Sequence, residues 1–168
     1  MAVLTRTSRA GTLPLSLVAV AASVAIPFMV HLVPAGQSLG AALLPIFWAP
    51  FLAALMFGPV PAFFAALGAP VANHLLTGMP PTAVLPSLTL ELVLFVAALS
   101  LLVRWSSLRK FPLLAPAAYL IARLVAAFIL LGGAGLEGSL GSLGAALPGI
   151  AALAAINWLY LLLRKGSR

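Results

Sequence analysis

The chain has 168 residues, 64% of them hydrophobic and 7% charged, with mean hydropathy +1.22. A soluble domain carries about a quarter charged residues, so composition excludes a water-soluble globular protein and predicts an integral membrane protein. The absence of cysteine removes disulfides and thiolate chemistry, and the net charge of +7 sits at the ends of apolar runs, where it meets lipid headgroups instead of forming a basic, aromatic-interleaved face for nucleic acid.

A membrane-crossing helix needs roughly 20 apolar residues. Runs of that kind fall at about 13–34, 39–57, 60–77, 83–103, 112–133 and 143–163. The expectation is one all-α membrane domain over residues 1–168, a bundle of six transmembrane helices.

The first run follows Arg6 and Arg9. Its Ala19-Val20-Ala21 could mimic a signal-peptide cleavage site, but cleavage would break the charge pattern described below, so an uncleaved helix is expected. Within "LVAVAASVAIP", Ala19 and Ser23 stand four apart, as do Ala21 and Ala25. Small residues at that spacing let another helix approach closely, either inside the bundle or on a docking partner. His31 lies near the outer end and reads as interfacial. Pro34-Ala35-Gly36 then breaks the run, and Gln37 follows in the loop.

Run two carries Pro45, Pro50, Phe47 and Trp48; Trp48 could stack on a flat ligand. Gly58-Pro59 joins it to run three with almost no loop. Run three closes on Asn73 and His74 before the turn Gly78-Met79-Pro80-Pro81. Run four holds Glu91, and Arg109-Lys110-Phe111-Pro112 separates it from run five, which holds Arg123. A glycine-rich stretch, 132–141, leads to run six, where Asn157 lies deep and Trp158 and Tyr160 anchor the interface, as Trp105 does after run four. Prolines 27, 45, 50, 70, 86, 116 and 148 fall within or near the ends of runs. Each removes a backbone donor, and in lipid the freed carbonyl must be satisfied by a neighbour.

Charge orients the bundle. With both termini cytoplasmic, Arg6, Arg9, Arg104, Arg109, Lys110, Arg164, Lys165 and Arg168 all lie inside, and the outer loops hold no Lys or Arg. An intramembrane ionisable group is costly and commonly functional. Glu91 and Arg123 lie roughly 12 and 15 Å below the outer ends of their runs, within side-chain reach of each other. Together with Asn73, His74 and Gln37 they form a polar set in the outer half. That set is either a structural ion pair with interfacial neighbours or the wall of an outward-facing pocket. Two histidines on different helices and one carboxylate, without a close-spaced pair, predict no metal site.

The segment "LLPIFWAPFLAALMFGPVPAFFAALGAPVANHLLTGMPPTAVLPSLTLELVLFVAALSLL", residues 43–102, resembles the substrate-binding S component of energy-coupling factor (ECF) vitamin transporters. The likeness rests on Pro45 and Pro50, Gly58-Pro59, Leu75 to Pro81, and Pro86 followed by Glu91-Leu92. Size, span count and the alanine motif of the first helix extend it along the chain. The resemblance implies a protein of a bacterial or archaeal cytoplasmic membrane that captures a vitamin-like small molecule near the outer face. It implies docking on a transmembrane coupling protein carrying two ATPases, through the first helix at Ala21 and Ala25 with Ala19 and Ser23 beside them. Glu91, Arg123, Asn73, His74, Gln37 and Trp48 are the expected ligand-binding positions. The chain has no phosphate loop and is not expected to be an enzyme or to hold a cofactor. The alternative is a membrane scaffold of the MreD-like morphogenesis type, in which Glu91 and Arg123 pair without a ligand. A membrane enzyme is the weakest reading, since one carboxylate and two shallow histidines make no acid–base or nucleophile set.

Overall fold

The computed structural model describes residues 9–32, 40, 42–104 and 111–166, with side chains for these except 9–10, 31, 131–139 and 165–166. Every described element is helical. Helix α1 spans Arg9–His31, a 3₁₀ turn spans Pro45–Phe47, and α2 spans Trp48–Met56. Helix α3 spans Pro59–Thr77, α4 Leu85–Arg104, and the helical segment α5 Leu114–Gly166. Four stretches are long and apolar enough to cross a membrane: Gly11–Val30, Pro59–Thr77, Leu85–Arg104 and Leu140–Arg164. Two shorter apolar helices, Pro45–Met56 and Leu114–Leu130, accompany them. Large apolar side chains such as Leu17, Phe64, Leu75, Phe128 and Leu163 are more than half exposed. Such a surface suits hydrocarbon better than water.

Segment α5 differs from the expected pair of separate helices. Its 53 residues laid straight would reach about 80 Å and hold Arg123 and Ser142 about 28 Å apart. Yet Arg123 Nη2 donates to Ser142 Oγ at 2.8 Å, and Asn157 Nδ2 donates to the carbonyls of Phe111 and Pro112 at 3.0 and 2.6 Å. The segment therefore doubles back between Arg123 and Ser142. Its arms, 114–130 and 140–164, run antiparallel.

The second run also departs from a simple span. Leu44 interrupts it with φ 53° and ψ 42°, a left-handed conformation. Proline at 45 disfavours the right-handed helical region for the residue before it, so the helix breaks there. Trp48 Nε1–H donates to the Leu43 carbonyl across the break, at 3.2 Å. At the other end of α2, Gly58 turns the chain with φ 95° and ψ −178°, a region that essentially only glycine enters. Pro59 then starts α3 at a position where a missing N–H costs nothing.

Small residues set the packing. Helix α3 buries Ala62, Ala65, Ala66 and Ala69, and α1 presents Ser16, Ala19 and Ser23. Val20 methyls lie where a Cβ at Gly68 would meet them at 3.4 Å. Close backbone approach of this kind is how helices associate in lipid. Phe47 forms the aromatic centre, edge-to-face with Phe95 and Tyr119 at centroid distances of 5.3 and 5.2 Å, a favoured ring geometry.

The two buried asparagines share a task. Pro27 has no N–H for the Ser23 carbonyl one turn earlier, and Asn73 Nδ2 donates to that carbonyl at 3.2 Å. Pro116 likewise leaves the Pro112 carbonyl, and Asn157 supplies the donor. At Pro27 and Pro116, then, the freed carbonyl is met by an asparagine from a neighbouring helical stretch.

Candidate functional site

A cavity of about 290 Å³ opens where the end of α1, the 3₁₀ turn, the end of α3 and the start of α4 meet. Its apolar wall includes Leu44, Ile46, Phe47 and Leu88; its polar wall includes Asn73 and the pair Glu91–Arg123. The bundle's course explains the location. Thr77 ends α3 here, Ser87 lies in the first turn of α4, and α5 reverses beyond Arg123. Arg104 and Arg164, at the ends of α4 and of the second α5 arm, lie toward the opposite end of the bundle, where Asn157 meets Phe111 and Tyr160 reaches the Leu55 carbonyl.

The ion pair anticipated from helix depth is present. Arg123 Nη1 lies 3.2 Å from both oxygens of Glu91, and Nη2 is held by Ser142. The side chains keep 21% and 17% of their surface exposed. Arg123 Nε and the hydroxyl of Tyr119 one turn earlier are both buried behind the cavity, within interaction distance of each other.

Asn73 is 4% exposed and lines the cavity. Its Nδ2 donates to the Ser23 and Ala69 carbonyls, which leaves the amide oxygen as its unused polar end. Thr77 Oγ1 donates to the Asn73 carbonyl at 2.7 Å and accepts from the Met79 N–H at 3.2 Å. Ser87 Oγ donates to the Val84 carbonyl at 2.9 Å.

Other anticipated positions fall elsewhere. His74 is outside the cavity lining; its Nδ1–H donates to the Pro80 carbonyl at 2.8 Å and ties down the turn that forms part of the wall. Trp48 is also outside the lining and pins the break at Leu44. Gln37 lies outside the described residues, and so does the side chain of His31. The anticipated docking stripe divides. Ala19 and Ser23 are buried against α3 and belong to internal packing, whereas Ala21 and Ala25 face outward.

Two contributors were not singled out from sequence. Ser142 completes the Arg123 site; its signal is a hydroxyl just beyond the glycine-rich stretch, at a depth matching Arg123. Leu44 lines the cavity in a left-handed conformation, for which the only sequence signal is the proline after it. Among the described residues no group of three or more histidines, aspartates or glutamates could hold a metal ion.

No family model, curated protein or solved structure matches this chain.

Proposed function

We propose that this protein is the substrate-capture subunit, or S component, of an ECF-type importer for a vitamin-like micronutrient. In this reading it is a six-span protein of a bacterial or archaeal cytoplasmic membrane with both termini in the cytoplasm. The observation that carries the proposal is an ion pair lining a solute-sized hollow. Glu91 and Arg123 keep about a fifth of their surface open to a cavity of about 290 Å³ instead of being sealed in the core. That volume is at the lower edge of ligand pockets, roughly 300–1,000 Å³. The cavity lies at the end of the bundle away from Arg104 and Arg164, which makes that end external under the positive-inside rule. Transport energy would come from a transmembrane coupling protein with two ATPases, docked on the outward face of α1 at Ala21 and Ala25.

The test has two arms. The protein is purified in mild detergent, and small molecules released on denaturation are identified by mass spectrometry. It is also co-expressed with an ECF coupling protein and its ATPases and tested for a stable complex. A stoichiometric micronutrient and a complex are expected. Absence of both overturns the proposal.

A non-transport membrane scaffold is the second reading. It is favoured by the closure of Arg123 on both Glu91 oxygens and on Ser142, which satisfies most of the guanidinium within the chain. It predicts partner proteins in the purified complex and no small molecule.

A further inference from the structure

The capture reading leaves the ligand's chemistry open, and the cavity's own atoms narrow it. Among the described residues, Glu91 and Arg123 are the only ionisable side chains in the lining, and their charges sum to zero. A net charge brought into a site walled by apolar helices would have no counter-charge, and an unpaired charge in low dielectric is strongly disfavoured.

Donors and acceptors are also unevenly left over. The Asn73 amide has committed its N–H groups and offers only Oδ1. Thr77 and Ser87 have spent their hydroxyl hydrogens on backbone carbonyls. Glu91 accepts from one guanidinium nitrogen and retains lone pairs on both oxygens. Against these acceptors stand at most two uncommitted donors, the second N–H on each of Arg123 Nη1 and Nη2, because one Nη1 N–H is shared by both Glu91 oxygens, one Nη2 N–H goes to Ser142 and Nε is sealed from solvent.

We infer that the cavity takes a single-ring-sized solute of zero net charge that presents two or more N–H or O–H donors toward Glu91 and Asn73, with its flat apolar part against Leu44, Ile46 and Leu88. This inference rests on the capture reading.

Four probes of one ring size separate the features. Benzamide is neutral with two donors, N,N-dimethylbenzamide is neutral with none, benzoate is an anion and benzylammonium is a cation. Binding to the full chain in lipid nanodiscs is measured by titration calorimetry. Benzamide is expected to bind roughly tenfold tighter than each of the others, because acceptors left unpaired or a charge left uncompensated is penalised. Equal or tighter binding of any other probe, or binding of none, overturns the inference. In Glu91→Gln the site carries a surplus positive charge and benzoate becomes the preferred probe. In Arg123→Gln benzylammonium does. Where either single variant fails to fold, the double variant Glu91→Gln/Arg123→Gln restores zero charge and is expected to prefer benzamide. Single variants that fold and keep the wild-type order overturn the inference, as does a double variant that favours a charged probe. A natural ligand with net charge would sink this inference and leave the capture reading standing. Absence of any natural ligand and of a coupling complex would sink the capture reading itself.

Discussion

Asn73 on α3 donates to the carbonyl of Ser23 on α1, fifty residues earlier, at 3.2 Å. That carbonyl is available because Pro27, one turn on, has no N–H to give it. A kink-forming residue and its remedy are thus on different helices, and the bond holds α1 against α3 beside the cavity.

Replacing Asn73 with Ala should lower stability by about 1–2 kcal/mol, the upper range for interhelical hydrogen bonds in membranes. In a Pro27→Ala background the Ser23 carbonyl regains a helical donor, and the same replacement should cost less. Thermal unfolding in detergent of the two singles and the double measures the difference. An unchanged cost in both backgrounds would separate Asn73 from the proline.

The Glu91–Arg123 pair yields to a double-mutant cycle. Removing either partner leaves the other charge uncompensated and should cost about 3 kcal/mol, the lower end for a broken buried pair because both side chains are partly exposed. The double variant Glu91→Gln/Arg123→Gln should be more stable than either single. Additive losses in denaturant unfolding would show that the two groups act independently.

Gly149 touches the cavity wall from behind. A Cβ there would lie 2.5 Å from Leu44 Cγ and 2.6 Å from the Ala42 carbonyl oxygen. Gly149→Ala should therefore displace the strained Leu44 segment and destabilise the protein by about 1–3 kcal/mol. Gly144→Ala, on the same arm with open space around its Cβ position, should be neutral or slightly stabilising. Paired melting curves decide the point.

The divided small-residue stripe on α1 gives opposite outcomes by position. Tryptophan at Ala19 or Ser23 would be forced into the contact with α3 and should abolish folding. Tryptophan at Ala21 or Ala25, which face outward, should leave the melting temperature nearly unchanged and, under the proposed capture function, block assembly with a coupling protein. Size-exclusion profiles of the chain alone and co-expressed with coupling subunits measure both. Normal assembly of the Ala21 and Ala25 variants would move the docking face off α1.

Much of the architecture was legible in the residues. Apolar length alone dictated helices, because a backbone in hydrocarbon must satisfy its own polar groups. The rise per residue put Glu91 and Arg123 at similar depth, and they meet. Proline positions announced orphaned carbonyls. What the residues could not announce was which neighbour answers each one: Asn73 for Ser23 and Asn157 for Pro112 are pairings between helices distant in sequence. The break at Leu44 was hidden because apolar composition continues through it, and a hydropathy run does not register a change of backbone angle. His74 and Trp48 had the right chemistry and depth for a ligand site, but helix rotation turned them to backbone carbonyls.

Sequence by itself determined the solvent, the helical class and the end of the bundle at which polar groups gather, since each follows from transfer energies that add residue by residue. Tertiary structure decided the rest: which face of α1 is buried, where α5 folds back so that Ser142 reaches Arg123, and that a cavity remains beside the ion pair. Those outcomes depend on packing between surfaces remote along the chain, and no local tally of residues contains them.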